Sequence, residues 1–369
     1  MKIPYVNTNL QWSLEKRDLL KVIDKTLSTD DWVGGKNIAK FESNIKSICK
    51  TKYAVALNSG TDALTLGLYT LNVSKGDEVI TTPNSFIASA ATIVHLGAKP
   101  VFVDVQDDQN INPDLIEKAI TKKTKAIMPV HLTGRMSDMK KVLNIAKKYK
   151  IPVIEDAAQS IGSLLNNKPA GSYGEIGCFS AHPLKNLNAI GDSGYLTTNN
   201  YKIYQKVIEL RNHGMVNRNK VKNFGHVSRM DNLQAAVLNY RIKNFKKVIT
   251  QRRKNFNLYK KFLNSKYVFF PLEKKNEFNT YHTFVIQIDK RNELKKYLMK
   301  NNIFTAIHYP IPIHLQPAAK SLGYKTGSFK NAERQSKRIL TLPINQFLNE
   351  KQIKFISEKI NLFFEKKIY

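Results

Sequence analysis

Lys185 lies in a stretch of the chain that is suited to covalent catalysis. It belongs to the segment Ser180-Ala-His-Pro-Leu-Lys185, and the small-residue run Gly191-Asp-Ser-Gly194 follows closely. A lysine amine can attack a carbonyl carbon and form an imine, and burial or a nearby cation lowers its pKa for that task. A solvated surface lysine is the common alternative in a basic chain. Phe179 and the small residues favour an enclosed site, so the stretch predicts a catalytic lysine.

Two further segments carry polar residues that can bind a ligand. In Asn58-Ser-Gly60-Thr61, the glycine permits a close turn and the threonine starts a helix, whose free amides and hydroxyl suit a phosphate. In Ile154-Glu-Asp156, an apolar strand ends in an acid that stays ionised most readily opposite a cation, such as a protonated pyridine nitrogen. Helix capping is the simpler explanation of the first segment and an equally simple one of the second, so both interpretations stay open on these residues alone.

The elements that must position these segments alternate between strands and helices from about residue 38. Short apolar runs predict strands, and amphipathic stretches of about ten residues predict helices between them. This alternation is typical of an open, mostly parallel sheet with helices on both faces, which binds ligands at the carboxyl ends of its strands. Strands are predicted at 53–57, 78–81, 99–105, 125–129 and 153–156, and helices at 38–49, 62–71, 85–96, 114–120 and 137–148.

The pattern of the chain changes after Asp231. A long, lysine-rich amphipathic stretch at 232–263 is predicted to connect a large α/β domain to a smaller α+β domain. We place the large domain, with the N-terminal segment, at 1–245 and the small domain at 246–369. The small domain is predicted to contain a strand at 281–288, a helix at 291–300 and a terminal helix that ends near residue 365.

The composition is strongly basic, with 59 Lys and Arg against 29 Asp and Glu and a formal net charge of +30. Such a chain attracts phosphates, nucleic acids and anionic membranes. Its lysines are scattered, without a basic tail or an aromatic-interleaved strip, so neither a nucleic-acid partner nor membrane insertion is predicted. The N-terminus lacks the pattern of a signal peptide, and a cytoplasmic location is expected. Cys49 and Cys178 stand far apart and no HExxH occurs, which argues against a disulfide framework or a metal site.

Five motifs taken together resemble the DegT/StrS-type sugar-nucleotide aminotransferases, which are fold-type I enzymes that use pyridoxal 5'-phosphate (PLP). They are SGTDA at 59–63, PNSF at 83–86, EDAAQS at 155–160, SAHPLKNL at 180–187 and GDSG at 191–194. Further matches, among them HYPIPIHLQ at 308–316, extend the resemblance over nearly the whole chain. It implies the fold-type I large domain, a smaller C-terminal domain and a homodimer whose active sites are shared between subunits. No GxGxxG, P-loop or GxSxG motif competes with it.

The resemblance implies a role for each matching residue. Lys185 would bind PLP covalently and later move a proton between the substrate carbon and the cofactor. Asp156 would keep the pyridine nitrogen protonated, and Phe86 would stack on the ring. Further cofactor contacts are expected at Gln159, near the phenolic oxygen, and at Gly60, Thr61 and Ser180, at the phosphate. Substrate contacts are expected at Arg229, His308, Tyr309 and His314.

One departure from the family pattern concerns the expected contact between subunits. The family commonly has Gly-x-Asn-x-Arg, with the Asn reaching the phosphate in the neighbouring subunit, whereas this chain has Gly225-His226-Val227-Ser228-Arg229. A valine side chain cannot donate a hydrogen bond. Either His226, Ser228 or a backbone amide replaces that contact, or the phosphate is held differently. Arg229 remains available for substrate phosphates.

The implied reaction transfers an amino group from L-glutamate to a keto-sugar on a nucleoside diphosphate, in the synthesis of amino sugars and surface glycans. The segment from His308 to His314 slightly favours 3-keto over 4-keto substrates. A PLP-dependent sugar dehydratase is an alternative, although those relatives have His in place of Lys185. A second alternative is a non-enzymatic regulatory protein that keeps the fold, which would not require the set of Lys185, Asp156, Gln159 and Ser180.

Overall fold

The computed structural model describes residues 2–369 of the chain. Its α-helices are α1 Thr8–Leu27, α2 Lys36–Cys49, α3 Gly60–Thr70, α4 Ala88–His95, α5 Ile116–Ala119, α6 Met139–Tyr149, α7 Tyr201–Leu210, α8 Asn232–Ile242, α9 Phe245–Phe262, α10 Arg291–Lys300, α11 Lys330–Arg338 and α12 Glu350–Glu365. Its strands are β1 Tyr53–Leu57, β2 Glu78–Thr81, β3 Lys99–Phe102, β4 Thr124–Ile127, β5 Ile154–Asp156, β6 Leu164–Leu165, β7 Lys168–Pro169, β8 Ile176–Ser180, β9 Gly194–Thr198, β10 Met215–Asn217, β11 Lys220–Val221, β12 Glu277–Phe278, β13 Phe284–Gln287 and β14 Ile339–Leu342.

Within the described residues, seven strands form the central sheet in the order β3-β2-β4-β5-β8-β9-β1. Single backbone pairings, Ile127 with Val153 and Val130 with Asp156, join β4 to β5. All of these strands run parallel except β9, which is antiparallel to both β8 and β1. The predicted mostly parallel sheet is confirmed. Its parallel strands therefore end at one common edge, where β9 begins.

Helices cover both faces of the sheet, as the near-continuous apolar strands require. One face packs on α3 and α7, through a cluster that includes Leu64, Leu68 and Val207. The other packs on α2 and α6, through a cluster that includes Phe41 and Val142. Strand β9 is buried along its full length, which fixes it between its neighbours.

Three predicted helices differ in extent from the observed elements. The helix predicted at 85–96 begins only at Ala88, because the residues before it form a loop that borders the pocket described below. The stretch predicted at 114–120 forms a 3₁₀ turn and the short helix α5. The long stretch at 232–263 is broken at residues 243–244 into α8 and α9.

A separate hydrophobic cluster lies in the C-terminal part of the chain, around β13, β14, α10 and α12. Helix α9 packs in two clusters. Its Ile249 belongs to the cluster between the central sheet, α2 and α6, and its Phe256 belongs to the C-terminal cluster. Ile3 also packs in the C-terminal cluster, and its amide donates to the carbonyl of Asn302. The N-terminal segment is predicted to belong to the large domain, but its Ile3 packs in the C-terminal cluster, whereas Phe245 and Ile249 of α9 pack in the large-domain cluster. The boundary near residue 245 stays a proposal. Across residues 2–369, no helix has both the length and the apolar composition to cross a bilayer.

Candidate active site

A cavity of about 480 Å³ opens at the carboxyl edge of the central sheet. The loops after β1, β2, β5 and β8 all reach this edge, and β9 begins there, since Ser180 pairs with Gly194. Residues of the C-terminal domain close the opposite side. Nine of the predicted site residues line the cavity: Gly60, Thr61, Phe86, Asp156, Gln159, Ser180, Lys185, His308 and Tyr309.

Hydrogen-bond donors without a partner line one end of the cavity. Ser59 caps α3, and its Oγ accepts from the amide of Asp62 at 3.0 Å. The amides of Gly60 and Thr61 have no acceptor among residues 2–369, as expected for the first positions of a helix. The Oγ of Ser180 accepts from the amide of His182 at 3.3 Å, which leaves its hydroxyl proton free to donate. Such donors at a helix N-terminus suit a phosphate group.

Close backbone packing holds this end of the cavity in place. A Cβ on Gly194 would lie 2.1 Å from the carbonyl carbon of Ser59, and one on Gly60 would lie 2.7 Å from the Cβ of Ser180. Glycine is therefore required at both positions for α3 to approach β8 and β9. The structure thus gives Gly194, at the end of the GDSG run, a packing function beside the ligand site.

Asp156 lies on the floor of the cavity, 5% exposed. Its Oδ2 accepts from the hydroxyl of Ser89 at 2.7 Å, and its Oδ1 accepts from the amide of Ala158 at 3.2 Å. No Lys, Arg or His of the described chain forms an ion pair with it. Buried carboxylates are usually paired with a cation, so Asp156 suits a ligand that brings one, such as a protonated ring nitrogen.

Lys185 is half-buried in the same cavity. A tight turn holds it, in which its backbone amide donates to the carbonyl of His182 at 2.8 Å. The next residue, Asn186, fixes the turn to the C-terminal domain by donating to the carbonyl of Thr280 at 3.0 Å. Burial lowers the pKa of Lys185 to about 8, against the opposing effect of the Asp156 carboxylate. About a tenth of the amine is therefore neutral, and so nucleophilic, at pH 7, which far exceeds the neutral fraction of an ordinary lysine.

This pKa predicts how covalent capture of an aldehyde depends on pH. The neutral amine is the reactive form, so the rate of PLP incorporation into the apoprotein should rise with pH and level off above about 8. An ordinary lysine would continue to gain reactivity up to about pH 10.4. Stopped-flow absorbance across pH 6.5–10 measures the profile, and a rate that still climbs above pH 9.5 would contradict an enclosed amine.

Other side chains of the cavity have defined partners or orientations. Gln159 accepts at Oε1 from the amide of Thr133 at 2.8 Å, and its side chain also hydrogen-bonds to Tyr309 at the cavity. The ring of Phe86 stays 56% exposed at the cavity edge, 6.1 Å from the ring of Tyr309. An exposed aromatic ring beside a buried acid is placed to stack on a planar ligand.

Sequence reasoning missed several residues that line the cavity. They come from the start of α4, from α9 and from the loop before β13: Ser89, Arg252 and His282. Burial, with the positive charges of Lys185 and Arg252, lowers the pKa of His282 well below its usual range. Burial and Lys185 likewise lower the pKa of His308 to about 4. Both imidazoles are therefore neutral at physiological pH. No motif in the sequence marks residues that only packing between the domains brings to the cavity.

Two predicted substrate residues, Arg229 and His314, do not line the cavity. Arg229 donates from Nη1 to Oδ1 of Asn212 at 3.1 Å. His314 is 2% exposed, and its Nε2 lies 3.0 Å from Oε1 of Glu333. Its ring also packs edge-on against Phe329 at a centroid distance of 4.7 Å. His314 therefore supports the packing of the loop after residue 310, and its assignment as a substrate contact is not supported within one subunit.

Replacing His314 with alanine tests this structural role. We expect the free energy of unfolding to fall by about 1–3 kcal/mol, because Glu333 loses a buried partner. The Michaelis constants of the remaining folded enzyme should stay the same. Denaturant unfolding and steady-state kinetics measure the two effects, with the exposed His95→Ala as control. A raised KM without a loss of stability would restore His314 as a substrate residue.

Comparison with known proteins agrees with this geometry. Residues 14–361 match the model of the DegT/DnrJ/EryC1/StrS aminotransferase family. The chain belongs to this family. Of its relatives, the "Pleiotropic regulatory protein" of Geobacillus stearothermophilus is 38% identical over 99% of both chains. The "UDP-N-acetyl-3-dehydro-alpha-D-glucosamine 3-aminotranferase" of Acidithiobacillus ferrooxidans is 36% identical over 97% of both chains.

A solved structure extends the comparison of this aminotransferase to its fold. NtdA from Bacillus subtilis "with bound cofactor pmp" is 33% identical and superposes with a TM-score of 0.85, covering 94% of this chain and 82% of NtdA. Family membership and this match confirm three expectations from the sequence: the α/β fold of PLP transferases, an aminotransferase activity and the use of PLP. Within residues 2–369, no cluster of His, Cys, Asp or Glu is arranged to hold a metal ion.

Proposed function

We propose that this aminotransferase moves an amino group from L-glutamate to a keto-sugar linked to a nucleoside diphosphate. One observation carries the proposal: a half-buried lysine, an ion-unpaired carboxylate and a set of free phosphate donors line one cavity. Their arrangement matches the aldehyde, the ring nitrogen and the phosphate of PLP. Phe86 would stack on the ring, Asp156 would meet its nitrogen, and Gln159 would lie beside it.

Lys185, Asp156 and the donors at the start of α3 would hold the cofactor. When bound, PLP supplies an electron sink that stabilises negative charge on the substrate carbon. The free amine of Lys185 would take a proton from the substrate carbon and deliver it to the cofactor carbon that carries the amino nitrogen. Asp156 would keep the ring nitrogen protonated. The neutral imidazoles of His282 and His308 donate or accept hydrogen bonds without adding charge beside the amine.

Arg252 supports the binding of anionic substrates. It lines the cavity with Lys185 and two acids, the buried Asp156 and the exposed Asp192. Arg252 is 6% exposed and forms no ion pair with any acid of residues 2–369. A dicarboxylate amino donor and a sugar diphosphate would both gain from an arginine without an acidic partner, and the formal charge of +30 attracts anions at longer range. Amino-sugar synthesis for surface glycans, in the cytoplasm, is the role that we propose.

We favour amination at C3 of the sugar over C4. The Acidithiobacillus relative is named for action on a 3-dehydro sugar, at 36% identity over nearly the full length. His308 and Tyr309, from the segment that suggested a 3-keto substrate, line the cavity, which supports a substrate contact there. The regulatory name of the Geobacillus relative leaves open a second role for this fold, but the complete set of cavity residues favours catalysis.

The half-reactions test the proposed function separately. L-glutamate added to the holoenzyme should convert the cofactor absorbance to that of the amino form and release 2-oxoglutarate. The amino form should then return to the aldehyde form with a 3-keto nucleotide sugar, and product mass identifies the aminated carbon across UDP-, TDP- and GDP-linked 3-keto and 4-keto sugars. A chromophore that responds to no amino donor would refute the transamination reaction.

A homodimer with shared sites is part of the proposal. Large apolar side chains are exposed on the segments that border the cavity or precede Arg229: Phe86, Leu184, Phe224 and Val227. Such exposure supports burial against a second copy. Ser228 is buried and donates to Oδ1 of Asn58 at 3.2 Å, whereas His226 and Val227 are exposed. Of the replacements for the family Asn, we therefore favour the His226 side chain or the Val227 amide.

Complementation between two inactive variants tests the shared site. If Arg229 acts in the partner's cavity, Lys185→Ala and Arg229→Ala should each be inactive alone, while co-expressed mixed dimers contain one intact site. Random pairing then restores about one quarter of wild-type activity per protomer. Half of the dimers are mixed, and one of the two sites in each mixed dimer is intact. If the co-expressed mixture is no more active than the two separate variants together, Arg229 acts in its own subunit.

A further inference from the structure

We propose that Ser89 is a positioning residue which, together with Ser85, orients the Asp156 carboxylate towards the nitrogen of the cofactor ring. The inference rests on the proposed placement of PLP in this cavity. The three residues come from different parts of the chain. Ser85 lies in the loop after β2, Ser89 in the first turn of α4 and Asp156 at the end of β5.

The geometry is a chain of short hydrogen bonds. Ser85 Oγ and Ser89 Oγ lie 2.7 Å apart, and Ser89 Oγ lies 2.7 Å from Asp156 Oδ2. All three side chains are at most 5% exposed. A carboxylate only accepts hydrogen bonds, so the proton of Ser89 points to Asp156. Ser89 must then accept from Ser85, which fixes the direction of both bonds.

Ser89 differs from the other buried hydroxyls of helices in what it bonds. Thr70, Thr92, Ser336 and Ser357 each donate to a backbone carbonyl three or four residues earlier in their own helix. That local bond is the usual way for a helical hydroxyl to satisfy its donor. Ser89 is the second residue of α4, so its helix offers no carbonyl at that spacing. Its hydroxyl donates instead across 67 residues of sequence to the buried acid of the cavity floor.

The two serines also connect Asp156 to the aromatic edge of the cavity. Ser85 precedes Phe86 directly, and the backbone amide of Ser89 donates to the carbonyl of Phe86 at 3.2 Å. The same short segment therefore sets the position of the ring proposed to stack on the cofactor and the orientation of the acid below it. Asp156 Oδ1 is held by the Ala158 amide, so the two bonds from the protein fix the plane of the carboxylate. A fixed plane directs the remaining lone pairs into the cavity.

The test uses holoenzyme reconstituted with PLP that carries ¹⁵N in the ring, because the chemical shift of that nitrogen reports its protonation and hydrogen bonding. We expect Ser89→Ala to shift this resonance and to lower kcat about tenfold, the size of a lost hydrogen bond to a charged group. The KM for the nucleotide sugar should stay the same. Ser89→Thr, which keeps the hydroxyl, should restore both values.

Two further variants separate positioning from general damage. Thr92→Val removes a buried hydroxyl one turn later in α4 and should leave the resonance unchanged. Ser85→Ala should shift it less than Ser89→Ala does, and the double variant should equal Ser89→Ala, because both serines act through one carboxylate. If Ser89→Ala keeps the wild-type resonance, or if the effects of the two substitutions add in the double variant, the positioning role of the two serines is refuted. The proposed function would stand in either case. Failure of the wild-type protein to bind the labelled cofactor would instead overturn the proposed function.

Discussion

Lys185→Ala is expected to lower kcat by at least about 10⁴-fold, because the variant loses both the covalent attachment of PLP and the group that transfers the proton. The purified variant should lack the absorption band that sodium borohydride bleaches in the wild-type protein. PLP should still bind through the phosphate donors at α3, and dialysis should remove it. Absorbance, borohydride trapping and single-turnover kinetics with L-glutamate measure these effects.

The fold should tolerate this replacement. A lysine whose pKa is lowered by burial destabilises the folded state while it is protonated, so its removal is not expected to unfold the apoprotein. The exposed Lys202→Ala serves as control, since it lies on α7 and outside the cavity lining. An active Lys185→Ala enzyme, or a borohydride adduct mapped to another lysine, would refute the assignment of the catalytic lysine.

Asp156→Asn is expected to lower kcat by about 100-fold or more, with the cofactor still attached to Lys185. Asparagine keeps the size of the side chain but removes the negative charge that favours a protonated ring nitrogen. The ring then withdraws electrons less effectively, so removal of the proton from the substrate carbon becomes slow. A primary deuterium isotope effect with α-deuterated glutamate should therefore increase.

Controls for this variant separate charge from structure. Asp156→Glu keeps the charge but moves it, and should retain cofactor binding with reduced activity. Asp114→Asn removes a surface carboxylate that pairs with Lys141 at 2.8 Å and should leave kcat unchanged. If Asp156→Asn reacted with glutamate at the wild-type rate, the cofactor ring would lie in another orientation. The proposal that Ser89 orients Asp156 towards the ring nitrogen would then be wrong.

Much of the architecture follows from local sequence patterns. Strands β1 and β2 and helix α10 occupy their predicted ranges, because short apolar runs and amphipathic stretches are properties of contiguous residues. Errors occur where a contact from elsewhere in the chain decides a boundary. The segment from Ser85 to Ile87 looks helical by composition, yet it stays a loop, where Ser85 bonds Ser89 and Phe86 stands at the cavity.

The candidate site was predictable wherever a motif combined residue type with a place at a strand end. Lys185, Asp156, Gly60 and Ser180 meet because parallel strands end at one edge, so their convergence follows once the sheet is inferred. His314 lies outside the cavity of its own subunit, because its ring turns towards Glu333, and its sequence position near His308 and Tyr309 does not reveal this orientation.

By itself, the sequence determined the type of sheet, the family and the candidate catalytic lysine, since these depend on residue types at short spacing. Only the tertiary structure decided which acid lacks a cation partner, which hydroxyls hold it and which histidines are neutral. Those properties arise from distances between segments far apart in sequence and from the removal of water around them. Burial and neighbouring charges set both pKa values and hydrogen-bond partners, and no local pattern encodes them.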